Sequence, residues 1–381
     1  METMLAVPGS VDAPLFNSEQ HRRSPPRRRG PCSQEDVPPK TDIHALPRQP
    51  ASALIPRVDA LSEILKVVQL NGALFFNARF TAPWCVATPA ETTIARTLAL
   101  GAERVLLYHY VLEGSCRIAL EGREVQRLQS GDVILIPHGD AHTMSSSPDA
   151  DVLHLDAHAV LRERPKLLHF GGGGEATRLI CGYMVCDPRL IEPLLTALPR
   201  LATISLRGAG EAHWLEASLR HVAQEANSLG PGAEGVLAKL SEVMVVETLR
   251  RYIAQLPPEQ TGWLAGLRDR AVGQCLALMH ARPAHAWTVE AMAREVGVSR
   301  SVLAERFTHF VGKSPMQYLG GWRMALATNY LRRSSLSVAR VAEEVGYETD
   351  ATFSRAFRRE FGMPPATWRR LNGPPGIGTS A

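Results

Sequence analysis

VARVAEEVGYETDATFSRAFRREFGMPP, residues 338–365, sets a short apolar stripe, a glycine and a phenylalanine–arginine stretch in close succession. A near copy, VEAMAREVGVSRSVLAERFTHFVGKSP at 289–315, lies about fifty residues upstream. At an offset of 49, Thr288, Val289, Met292, Ala293, Val296 and Gly297 match Ser337, Val338, Val341, Ala342, Val345 and Gly346. The apolar positions fall at i, i+3, i+4 and i+7, one face of a helix. The hydroxyl residue ahead of each stripe can cap its first turn, and the glycine can end it in the left-handed conformation. Beyond the glycine the offset becomes 50: Leu303, Phe307, Gly312 and Pro315 match Phe353, Phe357, Gly362 and Pro365. The second turn is therefore one residue longer.

Each unit reads as helix, tight turn, helix, the layout whose second helix can enter a DNA major groove. The phenylalanines anchor that second helix from behind. Its free flank carries Arg300, Ser301, Ala304, Glu305 and Thr308 upstream, and Asp350, Ala351, Ser354, Arg355 and Arg358 downstream. Between the units, the nineteen residues Pro315–Arg333 would form a helix about 28 Å long. With its turns, such a connector can hold two reading helices roughly 34 Å apart, one turn of B-DNA. Helical hairpins also repeat in proteins that bind no nucleic acid, so the argument rests on the duplication, the connector and the charge together.

Charge is uneven along the chain. Residues 263–371 hold sixteen Lys/Arg against nine Asp/Glu, a balance of +7. Residues 58–262 hold eighteen against twenty-three, or −5, and the first 57 hold eight against six, or +2. A basic C-terminal module on an acidic body points to a polyanionic partner.

AEEVGYETDATFSRAFRREFGMPPATWRR resembles the signature of the AraC/XylS family of bacterial transcription regulators, in its second helix-turn-helix. The likeness covers about 263–372. It implies DNA contacts at Arg300, Ser301, Ala304 and Glu305, and at Thr349, Asp350, Ala351, Ser354, Arg355 and Arg358. Arg355 is the foremost of these, since arginine binds guanine O6 and N7 bidentately. Glu305 and Asp350 depart from a purely basic face, either accepting from cytosine or rejecting other bases.

From Trp84 to His158, the runs TIARTLAL, RVLLYHYVLEG, SCRIALEG and GDVILIPHGDAHTM read as short strands separated by turns, the pattern of an antiparallel barrel or sandwich. Gly131, Pro137, Gly139 and His142 follow the spacing of a cupin's second motif. His109 and Glu113 resemble the last two ligands of its first motif, whose first histidine is replaced by Leu107. His109, Glu113 and His142 are thus candidates to contact an effector or to converge on a divalent metal such as iron, manganese or zinc. The alternative is that the two histidines pair by hydrogen bonding inside the barrel. Trp84, Tyr108 and Tyr110 read either as pocket lining or as aromatic core. Cys181 and Cys186, five apart, fall on opposite faces of a strand, against an easy bond between them.

Residues 1–57 are rich in proline and arginine and read as disordered, as a basic arm, or as a segment preceding a true start at Val58. After Pro188 the pattern turns helical; on the stretch GVLAKLSEVMVVETLRRYIAQL, Val236, Leu240, Val243 and Glu247 form a stripe able to bury against the barrel or a second copy. No run reaches the roughly 18 apolar residues of a membrane span, and the scattered cysteines lack a CxxC pair. A cytoplasmic, nucleoid-associated protein is expected, with no disulfide framework.

The expected fold is α+β and multidomain. A cupin-like effector-sensing domain at 58–210 precedes a helical dimerisation region at 211–256 and a linker at 257–262. An all-α double helix-turn-helix follows at 263–372, then a flexible tail at 373–381. Expected partners are double-stranded DNA, a small-molecule effector and a second copy, with RNA polymerase as a further possibility and no membrane. No cofactor is expected beyond the candidate metal. The runner-up is a dioxygenase-like cupin metalloenzyme tethered to a DNA-binding module.

Overall fold

The computed structural model describes residues 59–68, 71–97, 104–153, 167–207, 214–218, 220 and 231–373. The expected N-terminal extension, nearly all of the tail, His154, His158, Cys32 and residues 211–213, 219 and 221–230 of the expected dimerisation region lie outside the described residues.

The β-rich part carries β1 (Asn71–Thr81), β2 (Cys85–Thr88), β3 (Arg104–Glu113), β4 (Ser115–Leu120), β5 (Gln126–Gln129) and β6 (Asp132–Ile136). It continues through β7 (His142–Ser145), β8 (Val152–Leu153), β9 (Leu167–Gly171), β10 (Ala176–Cys186) and β11 (Ala202–Ser205). One sheet has the order β11-β6-β3-β10-β1-β9 and the other β5-β4-β7-β2-β8. Pairing is antiparallel except for β1 with β9 and β2 with β8, which run parallel. Ala78, Leu107, Val111, Ile118, Ile134 and Leu179 fill the space between the sheets. Alternation sends the intervening residues of β3 the other way, so Tyr108 and Tyr110 join the apolar cluster outside the barrel. They are not pocket lining.

TIARTLAL does not form a strand. Glu91–Thr97 are helix α2, and 98–100 lie outside the described residues. Among the side chains described there only Ile94 is buried, so the segment, despite its β-branched residues, lacks the alternating burial of a half-buried strand. Glu91 secures the helix start: its amide donates to Gly139 O at 2.7 Å, and its carboxylate accepts from Val105 N at 3.2 Å and pairs with Arg104 at 2.8 Å.

Helix α1 (Ala60–Val68) precedes the barrel, α3 (Glu192–Ala197) lies between β10 and β11, and α4 (Ala233–Gln255) follows the barrel. On α4, Ser241, Met244, Val245, Thr248 and Leu249 are buried, and Ser241 Oγ accepts from Tyr108 Oη at 2.6 Å. Val236 and Val243 face outward, 48 % and 39 % exposed. Of the two destinations open to that stripe, the barrel is thus excluded.

The C-terminal part is helical: α5 (Trp263–Gly266), α6 (Arg270–Ala281), α7 (Val289–Val296), α8 (Arg300–Val311), α9 (Pro315–Arg333), α10 (Val338–Glu344), α11 (Asp350–Phe361) and α12 (Pro365–Asn372). The residue expected to cap each stripe does so: Thr288 accepts from Ala291 N and Ser337 from Arg340 N. Gly297 and Gly346 hold φ of 75° and 82°. The connector is one helix with the expected bounds, opened by a capping box between Ser314 and Gln317.

Helix α1 buries Ala60, Leu61, Ile64 and Val68 and packs on α6. An element expected with the sensor therefore seats on the DNA-binding module, because its apolar face needs a partner that the barrel does not provide. One apolar cluster runs from the outer face of the larger sheet through α4 and α1 into the core around Phe307, Phe353 and Phe357.

Candidate DNA-reading surface and sensor barrel

Both reading helices are built alike. In α8, Leu303 and Phe307 are fully buried; in α11, Phe353 and Phe357 are. Burying such a phenylalanine stabilises by about 1.5–3 kcal/mol and fixes which flank stays outside. Arg300, Ser301 and Glu305 are exposed and Ala304 is half-buried; Thr349, Asp350, Ala351, Arg355 and Arg358 are exposed and Ser354 is half-buried. The structure thus gathers the ten candidates into two outward flanks, one on each reading helix.

Local polar contacts order these flanks. Ser299 caps α8 by accepting from Val302 N at 3.3 Å, and Thr349 caps α11 by accepting from Thr352 N at 3.2 Å. Ser354 Oγ donates to Asp350 Oδ1 at 3.0 Å. Arg355 Nη2 donates to Thr352 Oγ1 at 3.4 Å, while neither Arg355 nor Arg358 has an acidic partner among the described residues. Arg300 differs, with its Nε 2.7 Å from Glu290 Oε1. The Glu290 carboxyl is held below the ordinary carboxylate range, first by its own backbone amide and then by Arg300. The flank of the second unit therefore offers guanidinium groups without an acidic partner, whereas the one arginine on the flank of the first, Arg300, is paired.

Much of the basic surplus is engaged within the molecule. Arg306 pairs with Asp269, Arg332 with Asp187, and Arg340 with Glu343 and Glu344. Arg323 donates to the carbonyls of Pro283 and His285, both at 2.8 Å, and Arg369 to those of Leu331 and Leu336. Net charge alone overstates the cation available to DNA. A planar fork of five donors suits arginine to bracing chain ends in this way.

In the barrel, His109 Nε2 and His142 Nε2 lie 2.8 Å apart, and His142 Nδ1 lies 2.9 Å from Asp140 O. A carbonyl only accepts, so His142 carries its proton on Nδ1 and accepts at Nε2 from His109 Nε2–H. Both rings are neutral. Burial, reinforced by the neighbouring His142, drives His109 well below its ordinary value, and burial lowers His142 to about 4. The hydrogen-bonded pair is the reading of the two that the structure favours.

Glu113 does not join them. Arg178 pairs with Glu113 but the next residue, Leu179, pairs with Val111. This bulge makes Leu112 the extra residue, so that the alternation breaks after it, and Glu113 ends exposed, 3.6 Å from Arg178. Among the described residues no cluster of three or more His, Cys, Asp or Glu is placed to hold a metal ion, and the facing histidine nitrogens are engaged with each other. The residues present do not fit the metal that a cupin fold implies. Cys181 lies inside the barrel and Cys186 outside it, as their spacing predicts. Burial pushes the Cys181 thiol up, against a reactive thiolate.

A cupin family model matches residues 59–254 and a helix-turn-helix domain model residues 292–371. The chain is 30 % identical to the HTH-type transcriptional regulator AlkR of Acinetobacter baylyi, over 82 % of this chain and 99 % of that one. It belongs to the AraC/XylS family. An AraC-like transcription regulator of Streptomyces lividans is 32 % identical over 71 % of this chain and 88 % of its own. The RCS-specific HTH-type transcriptional activator RclR of Escherichia coli is 26 % identical over 82 % and 97 %. This AraC/XylS member is therefore a DNA-binding transcription regulator with a cupin-type N-terminal domain. These relatives are all regulators, which sets aside the tethered metalloenzyme. No helix among the described residues is long and apolar enough to cross a membrane.

The residues that sequence reasoning missed are the internal arginines. It read Gly346 as the end of a helix but not its close approach to the backbone of Ala284.

Proposed function

We propose that this regulator recognises its operator through Arg300, Ser301, Ala304 and Glu305 in one major groove and Thr349, Asp350, Ala351, Ser354, Arg355 and Arg358 in the next. The observation that carries the reading is the pair of outward flanks held by buried Leu303–Phe307 and Phe353–Phe357. Base-edge reading falls mainly to the second unit, through Arg355, while the first contributes shape and polar contacts. A small-molecule effector in the barrel shifts the population between arrangements of the two units. Two copies pair along the exposed Val236–Val243 stripe of α4, and RNA polymerase is a further partner at the promoter.

Footprinting of the DNA upstream of the gene and its neighbours, with and without candidate metabolites, tests this directly. The expected result is protection of two sites about one helical turn apart, changed by one metabolite. Protection that ignores the sequence of the fragment, or that persists in an Arg355→Ala and Arg358→Ala double variant, would remove α11 from the interface.

A further inference from the structure

The corner where the barrel meets the helices holds a polar cluster used by neither the barrel pair nor the DNA-reading flanks. Asp187 follows the last residue of β10 and is 3 % exposed. Its Oδ1 accepts from the amides of Arg189 at 2.9 Å and Leu190 at 3.2 Å. Its Oδ2 accepts from Asn329 Nδ2 at 3.3 Å and pairs with Arg332. Both of those partners lie in the last turns of α9, from which the second DNA-reading unit departs. Two residues on, the Arg189 guanidinium lies 4.5 Å from the ring centroid of Phe361, the final residue of α11.

One short corner of the sensor therefore grips both ends that orient the second unit. The grip leaves the reading flank open: Asp350, Ala351 and Arg355 at the far end of α11 stay exposed. It sets the unit's angle and does not cover its surface.

Through β10 the same corner is continuous with the barrel wall. Cys181 in that strand is in register with His109, and four residues of extended chain separate it from Cys186. A buried carboxylate that loses its cation is left uncompensated. Such a contact is either made or broken, the behaviour expected of a two-state element.

We propose that Asp187, through Arg332 and Asn329 and backed by Arg189 on Phe361, is the latch by which the state of the barrel sets the orientation of the second DNA-reading unit. The proposal rests on the barrel being the sensor and names the route by which it acts. Hydrogen exchange on the full chain tests it. Asp187→Asn, which can still accept from the two amides, and Arg332→Leu should each speed exchange in α10 and α11 by about five-fold over α7 and α8. The two together should do no more than either alone, as for residues sharing one interaction.

Perturbing the barrel with His109→Gln should alter α11 exchange in the wild-type chain and leave it unaltered in the Asp187→Asn background. Unchanged exchange in both latch variants, or a His109→Gln effect that survives Asp187→Asn, would overturn the latch. Because no ligand enters the measurement, a barrel that binds no small molecule would remove the effector reading and leave these exchange results as they are.

Discussion

Gly346 lies against the backbone of Ala284: a Cβ on residue 346 would come within 2.7 Å of Ala284 Cα and O. The turn of the second unit thereby abuts the loop between α6 and α7 of the first. Arg323 reinforces the junction, binding the carbonyls on either side of Ala284 while lying 5.9 Å from the Tyr347 ring centroid. The two units touch each other directly as well as through their connector.

Gly346→Ala and Gly297→Ala should therefore differ in cost. Both glycines have positive φ, so either alanine incurs about 1 kcal/mol of backbone strain. Only residue 346 adds a backbone clash, since a Cβ on residue 297 meets nothing within 4 Å. Denaturant unfolding should show roughly 1 kcal/mol lost for Gly297→Ala and at least 2–3 kcal/mol for Gly346→Ala. Equal losses would mean that the junction yields without cost.

Arg355→Ala should weaken operator binding by about 1–3 kcal/mol and relax preference at one base pair, with thermal stability unchanged because the side chain is exposed. Gel shifts on a panel of single-base operator variants read both effects. A uniform loss across the panel would reassign Arg355 to a phosphate.

Phe357→Ala should cost about 3–5 kcal/mol of stability, since the ring is fully buried against Phe353, Phe361 and Trp368. DNA affinity of the folded fraction should fall as well, because α11 loses the anchor that aims its flank. Circular dichroism melts alongside gel shifts distinguish this from Arg355→Ala.

Acid should destabilise the fold through three buried histidines. Burial lowers His280 to about 3 and His142 to about 4, and it drives His109 well below its ordinary value. Each folded value lies below that of the unfolded chain, near 6.5. Their contribution is thus fully present above that pH and is lost as pH falls toward 4, with about 2 kcal/mol gone at pH 5 for each of His142 and His280. Urea midpoints from pH 7.5 to 4.5 measure it, and His142→Gln should flatten the dependence by about one proton. An unaltered slope would mean that His142 takes up its proton in the folded chain as well.

Val243→Glu on the outward stripe of α4 should dissociate a dimer formed there while leaving the monomer folded, since Val243 is already 39 % exposed. Sedimentation at several concentrations would show it. A dimer that persists in Val236→Glu/Val243→Glu excludes α4 as the pairing face.

Periodicity, caps and turn glycines made the C-terminal module legible before any coordinates, because i to i+4 spacing, a hydroxyl cap and a left-handed glycine are local requirements of a helical hairpin. The same logic placed Cys181 and Cys186 on opposite faces of β10. Local signals failed where a distant partner decided the outcome. Thr93–Leu100 are rich in β-formers, yet Glu91–Thr97 coil as α2 because Glu91 finds Gly139, Arg104 and Val105. Glu113 carries the spacing of a ligand, yet a bulge opposite Arg178 turns it out of the barrel. By itself, then, the chain determined its modules, its two reading flanks and its family. Tertiary structure alone decided that His109 and His142 bind each other, that α1 seats on α6 and that Asp187 grips Arg332. Those outcomes depend on strand register and on which surfaces meet, and neither is a property of neighbours in sequence.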